Sequence, residues 1–182
     1  MPLTTPRLLL RRPTEQDLPS LFAIYGDPGT HLFNPAGPIK DVAQAQALLD
    51  TWLRHWSANG YGQWAIATRE APQNIIGFGG LDARRYLDVE RVNLGYRFAV
   101  SAWGKGYATE LSEAALDYGF GELGLGEVFA LVRPDHDASI RVLEKAGLQR
   151  VDVLHDVPGQ PPSLVFNACR AVVLPAGEAS EI

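Results

Sequence analysis

Between residues 98 and 109 the chain reads Phe-Ala-Val-Ser-Ala-Trp-Gly-Lys-Gly-Tyr-Ala-Thr, and no other stretch limits the fold as tightly. The residues before it, Arg91 to Val100, suit a strand, whereas Ala108, Leu111, Ala115 and Tyr118 recur at helical spacing. A turn that joins strand to helix leaves the first helical N–H groups without internal partners. Gly104 and Gly106 carry no side chain to hold a ligand away, so the amides of Gly104 to Thr109 can converge on an anion at the positive end of the helix. Lys105 adds one charge, and a diphosphate suits such a nest. Taken alone, the stretch also suits a turn that needs glycine only for its geometry. A Walker phosphate loop is excluded, because Gly104-Lys105-Gly106 continues with Tyr107 instead of Ser or Thr.

The rest of the chain supplies a framework around that turn. Arg7 to Arg12 reads as a strand ended by Pro13. Thr14 to Asp17 has capping-box spacing before a helix carrying Leu18, Leu21, Phe22 and Tyr25. Asp41 can cap a second helix, striped by Val42, Ala45, Leu48, Leu49, Trp52 and Trp56 and closed by Asn59-Gly60. Strands are then expected at 63–68, 74–82 and 91–100, with a turn at Ala71-Pro72-Gln73. After the glycine turn and its helix come a strand at 127–132, a helix from Asp135 or Asp137 to Ala146, and strands at 149–154 and 163–170. The order β-α-α-β-β-β-α-β-α-β-β predicts an α/β fold in one domain over 1–182, with a single mixed, mostly antiparallel, sheet flanked by helices. Its core covers about 5–170, and the small, acidic tail at 175–182 is expected to fray. Gly119-Phe120-Gly121-Glu122-Leu123-Gly124 spells G-x-G-x-x-G, but after a helix and before a strand, the reverse of the dinucleotide context.

Composition removes several classes. A chain of 182 residues, 46% hydrophobic and 20% charged, suits one globular domain. Its formal charge of −5, with Lys and Arg scattered, argues against a nucleic-acid surface. No apolar run reaches the roughly 20 residues that span a bilayer, and the first residues lack a secretion signal. The single Cys169 cannot form an internal disulfide, so a cytoplasmic location is expected. Four histidines and one cysteine show no ligand spacing, and no metal is expected.

Trp103-Gly104-Lys105-Gly106-Tyr107-Ala108-Thr109-Glu110 resembles the acyl-CoA loop of the GNAT N-acetyltransferases, in particular the RimJ/RimL-like branch. The pattern Gln/Arg-x-x-Gly-x-Gly/Ala has Trp103, Gly106 and Ala108 at its fixed places. Three further segments are similar to that family: Thr5-Pro6-Arg7-Leu8-Leu9-Leu10-Arg11, Ile76-Gly77-Phe78-Gly79-Gly80-Leu81, and Ser139 to Gly147. The resemblance implies a GNAT fold and acetyl-CoA as cosubstrate. It implies a pantetheine arm lying against Phe98, Ala99 and Val100, and a diphosphate held by Trp103, Gly104, Lys105, Gly106, Tyr107, Ala108 and Thr109.

It also implies roles at Ser139 and His136. The serine matching Ser139 lies near the CoA sulfur in relatives and is proposed to protonate the leaving thiolate; a helix cap is its ordinary alternative. His136 stands where many relatives have an Asn that bonds the pantetheine arm, or else faces solvent. Leu143 stands where many members place a tyrosine acid, and Asn93 where many place a glutamate base. Asp82, Asp88, Glu90 and His31 remain candidate bases. Trp52, Trp56, Tyr61 and Trp64 are either core or the wall of an acceptor pocket. The implied function is acetyl transfer to a primary amine, a protein N-terminus or a small molecule, by direct attack in a ternary complex. The alternative is an inactive acyl-CoA-binding or sensor domain. The acceptor and a homodimer are left open.

Overall fold

In the computed structural model, residues 2–86 and 88–170 are described. Eight strands form one sheet in the order β1-β2-β3-β4-β5-β6-β8-β7. The strands are β1 (Leu3–Thr4), β2 (Leu8–Arg11), β3 (Gln63–Thr68), β4 (Ala71–Tyr86), β5 (Val89–Phe98), β6 (Glu127–Val132), β7 (Gln149–Leu154) and β8 (Ser163–Cys169). Every pairing is antiparallel except β5 with β6, which is parallel and has a single register pair, Asn93 opposite Phe129.

Four helices cover the sheet: α1 (Leu18–Tyr25), α2 (Val42–Asn59), α3 (Tyr107–Gly121) and α4 (Asp137–Lys145). Strand alternation divides the core between its two faces. Leu21, Ile24, Leu49 and Trp52 of α1 and α2 pack on Ala65 and Phe78. Leu111, Ala115 and Leu143 of α3 and α4 pack on Trp64, Ile66, Leu81, Leu94 and Phe98. Each buried side chain of Leu or Phe size contributes about 1.5–3 kcal/mol, so both layers are needed to hold the sheet.

Local chemistry sets the element ends. Asp41 Oδ1 accepts the Gln44 N–H at 2.8 Å and starts α2, which stops at Gly60. Asp17 is buried and accepts the Thr14 N–H at 2.7 Å and both Arg11 Nη groups, tying β2 to α1. The first turn there is a 3₁₀ turn, Glu15–Asp17, before α1 proper.

The expected order of elements is present, with four differences. The short β1 pairs with β2 and has no apolar alternation to announce it. The β3–β4 turn falls at 69–70 instead of 71–73, and β4 runs on to Tyr86 because the β5 partner extends pairing to Tyr86 opposite Val89. Strand β5 ends at Phe98 instead of Val100: Ala102 N–H bonds Ala99 O and Trp103 N–H bonds Val100 O, curling residues 100–102 into a 3₁₀ turn. Strand β8 ends at Cys169. The G-x-G-x-x-G letters close α3 and lead to β6. The tail at 175–182 lies outside the described residues.

Candidate active site

Beyond the Asn93–Phe129 rung, β5 and β6 part. The gap opens a cavity of about 970 Å³ that the ends of both strands line. One end of it meets the glycine turn and α4, and the other meets α1, α2 and the polar residues of β4 and β5. Ala99 N–H bonds Ile76 O across β4. Antiparallel alternation therefore directs the main-chain groups of Tyr96 and Phe98 away from β4 and into the gap. The Phe98 carbonyl already accepts the Trp103 indole N–H at 3.0 Å, which leaves its N–H to a guest.

At the mouth, Gly104 and Gly106 have φ of 72° and 78°. These left-handed values turn the chain so that the amides of 104 to 106 and those of the first turn of α3, 107 to 109, form one group. Among the described residues none of these amides donates to a protein acceptor; the next, Glu110 N–H, returns to Gly106 O at 3.1 Å. Arg7 holds the turn from behind. Its Nη1 donates to Lys105 O at 2.8 Å, its Nε donates to Glu110 Oε2 at 2.6 Å, and its guanidinium lies 4.9 Å from the Tyr107 ring centre. The turn is thus pinned through its carbonyl while its N–H groups stay available to a diphosphate.

Deeper in the gap, Ser139 Oγ and Tyr96 Oη are 2.8 Å apart. Ser139 sits in the first turn of α4, and its hydroxyl turns to Tyr96 instead of capping the helix. Burial pushes the Tyr96 phenol up to about 12, against the Ser139 bond, so Tyr96 stays protonated near neutrality. A Tyr96 O–H directed at Ser139 Oγ frees the serine proton for a group in the cavity. Leu143, 2% exposed, fills the neighbouring wall and can give no proton.

The opposite face is polar. Gln63, Asp82 and Asn93 line the cavity, and Asp82 lies directly across from Asn93 in the β4–β5 ladder. Tyr86 Oη donates to Asn93 Oδ1, which orients the Asn93 amide. Asp82 Oδ1 is buried with no hydrogen-bond partner among the described residues. Burial raises the Asp82 pKa, and Arg84, His55, Asn93 and Gln63 only partly oppose it. His55 is locked elsewhere, accepting the Ala83 N–H on Nε2 at 3.1 Å and so donating from Nδ1 to Tyr61 O at 2.9 Å. A carboxylate with one unpartnered oxygen and raised proton affinity is suited to take a proton.

The residues anticipated as CoA contacts divide in two. Phe98, Trp103, Gly104, Gly106, Tyr107, Ala108, Thr109, His136 and Ser139 line the cavity. Ala99, Val100 and Lys105 do not: Ala99 packs with the α1–α2 core, Val100 is exposed in the 3₁₀ turn, and Lys105 offers its carbonyl to Arg7. His136 stacks on Phe33 with ring centres 4.1 Å apart, and burial lowers its pKa against the pull of Asp135 and Asp137. Of the four anticipated aromatics only Trp52 reaches the cavity, while Trp64 belongs to the α3 side, against Tyr118. Asp88 and Glu90 are exposed at the far hairpin.

Tyr96, Arg97, Tyr25 and Arg7 were given no role at the site from the sequence. The available signal was an arginine directly after the Gly95-Tyr96 pair of a predicted strand. Among the described residues no group of three or more His, Cys, Asp or Glu is placed to hold a metal, and no helix is long and apolar enough to cross a membrane.

A sheet split at its one parallel pair, with unpaired amides at the mouth and a hydroxyl pair at the throat, is an architecture suited to an acyltransferase. The chain belongs to the GNAT N-acetyltransferases: residues 7–149 match the Acetyltransferase (GNAT) domain. It is 30% identical over 154 residues to the uncharacterized N-acetyltransferase YoaA of Bacillus subtilis, covering 84% of this chain and 85% of that one. Its fold is similar to that of spermidine N-acetyltransferase from Vibrio cholerae in complex with CoA and spermine, with a TM-score of 0.74 at 18% identity, covering 91% and 96% of the two chains. RimL, a ribosomal alpha-N-protein acetyltransferase in complex with coenzyme A, superposes with a TM-score of 0.77 at 13% identity over 93% and 98%.

Proposed function

We propose that this protein transfers an acetyl group from acetyl-CoA to a primary amine by direct attack in a ternary complex, as a RimJ/RimL-like member of its family. One observation carries the reading. A single cavity passes between β5 and β6, with unpaired main-chain amides and the Ser139 hydroxyl at one end and Asp82, whose Oδ1 has no partner among the described residues, at the other. Structural neighbours that hold CoA, the two described above among them, support the choice of cosubstrate.

The residues present fit that cosubstrate: the amides of 104–109 suit its diphosphate, and the inward N–H groups of Tyr96 and Phe98 suit its amide-bearing arm. The thioester supplies the acetyl group. Asp82 takes a proton from the acceptor ammonium, directly or through water, since an alkylamine with a pKa of about 10 arrives protonated. Asn93, fixed by Tyr86, and Gln63 hold the amine or its water beside Asp82. The attacking nitrogen loses its second proton as the amide forms; Ser139, aligned by Tyr96, passes a proton to the departing sulfur and takes that one in return. Cys169 is no acyl carrier: it pairs with Glu127 at the other end of β6 from Val132, five residues or about 17 Å along the strand.

The test is thiol release from acetyl-CoA across an amine panel with the full chain. Amine-dependent release that disappears in Asp82→Asn is expected. CoA binding without amine-dependent release would favour the second reading, a CoA-binding module, for which Leu143 in place of a tyrosine is the motive.

A further inference from the structure

The acceptor side holds a second charged group that the acetyl-transfer chemistry does not use. Arg97 lies on β5 two positions beyond Gly95, on the face it shares with Asn93 and Phe78, and it lines the cavity. Its guanidinium carbon sits 4.4 Å from the Tyr25 ring centre. Nη1 bonds a ring nitrogen of His31, whose Nδ1 is also 3.2 Å from Asn34 Nδ2. The ion pairs among the described residues are Arg7–Glu110, Arg11–Asp17 and Arg133–Asp156, so Arg97 has no carboxylate partner. Burial and the Arg97 charge keep His31 neutral, and His31 therefore accepts a hydrogen bond without balancing the charge. The remaining guanidinium N–H groups have no protein partner among the described residues.

A largely buried cation without a counter-ion is unfavourable unless an anion completes it. The planar fork of arginine matches a carboxylate through two parallel N–H bonds. Arg84 also lines the cavity, but its charge acts on Asp82, so the fork of Arg97 itself offers a single unit, which one carboxylate balances. Between Asn93 and Arg97 the floor of the cavity is Gly95, where an added Cβ would meet only the amide ends of Asn93 at 3.5 Å and Gln63 at 3.9 Å; Gly80, its partner in the ladder, is covered by Gly62 and Gln63. Asn93, opposite Asp82, is four residues from Arg97, about 13 Å between Cα atoms, and the long Arg97 side chain works within that span. The trough thus presents a proton acceptor at one end and a cation at the other. A polyamine would set a second ammonium against Arg97.

We propose that Arg97, backed by His31 and Tyr25, is an anion subsite of the acceptor cavity, and that the acceptor is an amine that also carries a carboxylate. The proposal rests on the acetyl-transfer reading of the same cavity. It is tested with the full chain saturated with CoA, titrated calorimetrically with glycine, β-alanine, γ-aminobutyrate and lysine and with the amide of each; spermidine is included. Thiol release from acetyl-CoA is followed with the same compounds.

At least one free acid binds about tenfold more tightly than its amide. Arg97→Gln reduces that preference to less than about twofold without weakening the amide, and Arg97→Lys, which keeps the charge, restores part of it. Equal binding of every acid and its amide, loss of both alike in Arg97→Gln, or no binding by any compound overturns the subsite. Acid-selective, Arg97-dependent binding without thiol release keeps the subsite and removes acetyl transfer. Release driven as well by amides or spermidine as by acids keeps acetyl transfer and removes the subsite.

Discussion

On the α3–α4 face the candidate site is made mostly of main chain, the amides at 104–109 and the inward edge of β5, with one pair of side-chain hydroxyls at Ser139 and Tyr96. On the α1–α2 face it is made of side chains, Gln63, Asp82, Asn93 and Arg97, drawn from three strands and walled by Tyr25 and Trp52. A ligand gripped by backbone constrains only the residues that let the backbone approach. One gripped by side chains can be changed by a single substitution. The first face therefore suits a cosubstrate shared by a whole family, and the second suits an acceptor particular to this chain.

Four tests break or sharpen that contrast. The largest effect is expected at Asp82→Asn, which lowers kcat by about 10²–10⁴-fold, the usual worth of a positioned base. Calorimetry should find CoA affinity unchanged. The wild-type rate requires Asp82 deprotonated, so kcat/KM rises with pH through a midpoint above the ordinary carboxylate value of about 3.9. That limb should vanish in the variant.

On the other face, Gly106→Val forces a branched residue to a φ of 78°, a strain of roughly 1–2 kcal/mol or more. CoA affinity should fall about tenfold or more while circular dichroism reports an intact fold, and an unchanged dissociation constant would remove the amide nest. Ser139→Ala and Tyr96→Phe should each lower kcat by several-fold to about tenfold. Groups acting as a unit are non-additive, so the double variant should be scarcely worse than either single one; independent losses would dissolve the proton chain.

The smallest effect concerns the brace behind the turn. The Arg7–Glu110 pair is half exposed on the arginine side, and a double-mutant cycle should give a coupling of about 0.5–1 kcal/mol. Burial raises the Glu110 pKa, but hydrogen bonds from Thr5 and Arg7 outweigh it and leave the carboxyl lowered. Its contribution is thus full above the unfolded carboxylate pKa and is lost as pH falls through the folded one. Chemical denaturation of Glu110→Gln should show a deficit at neutral pH that closes in acid.

The same contrast explains what could be read in advance. Gly104 and Gly106 are visible in a sequence because a left-handed turn admits little else, and the period change from strand to helix around them is visible for the same kind of reason. The register that sets Asp82 opposite Asn93 and leaves Arg97 beside Tyr25 is tertiary: it arises from a β4–β5 ladder and a helix more than fifty residues upstream. Val100 was misplaced because strand propensity says nothing about the 3₁₀ bonds that curl the chain after Phe98. Ser139 was legible as a residue of interest, but its partner Tyr96 appeared only once β5 and α4 were brought together.

The lone Asn93–Phe129 rung has a mechanical consequence. The sheet is close to two sheets stitched by one ladder step and by α3, so the block formed by β6, α4, β7 and β8 is fastened less firmly than its own interior bonding suggests. A cosubstrate lodged in the seam would act as a missing strand. Amide hydrogen exchange along β6 and α4 should slow on its arrival more than exchange in β2 or β3, which lie on the far side of the seam.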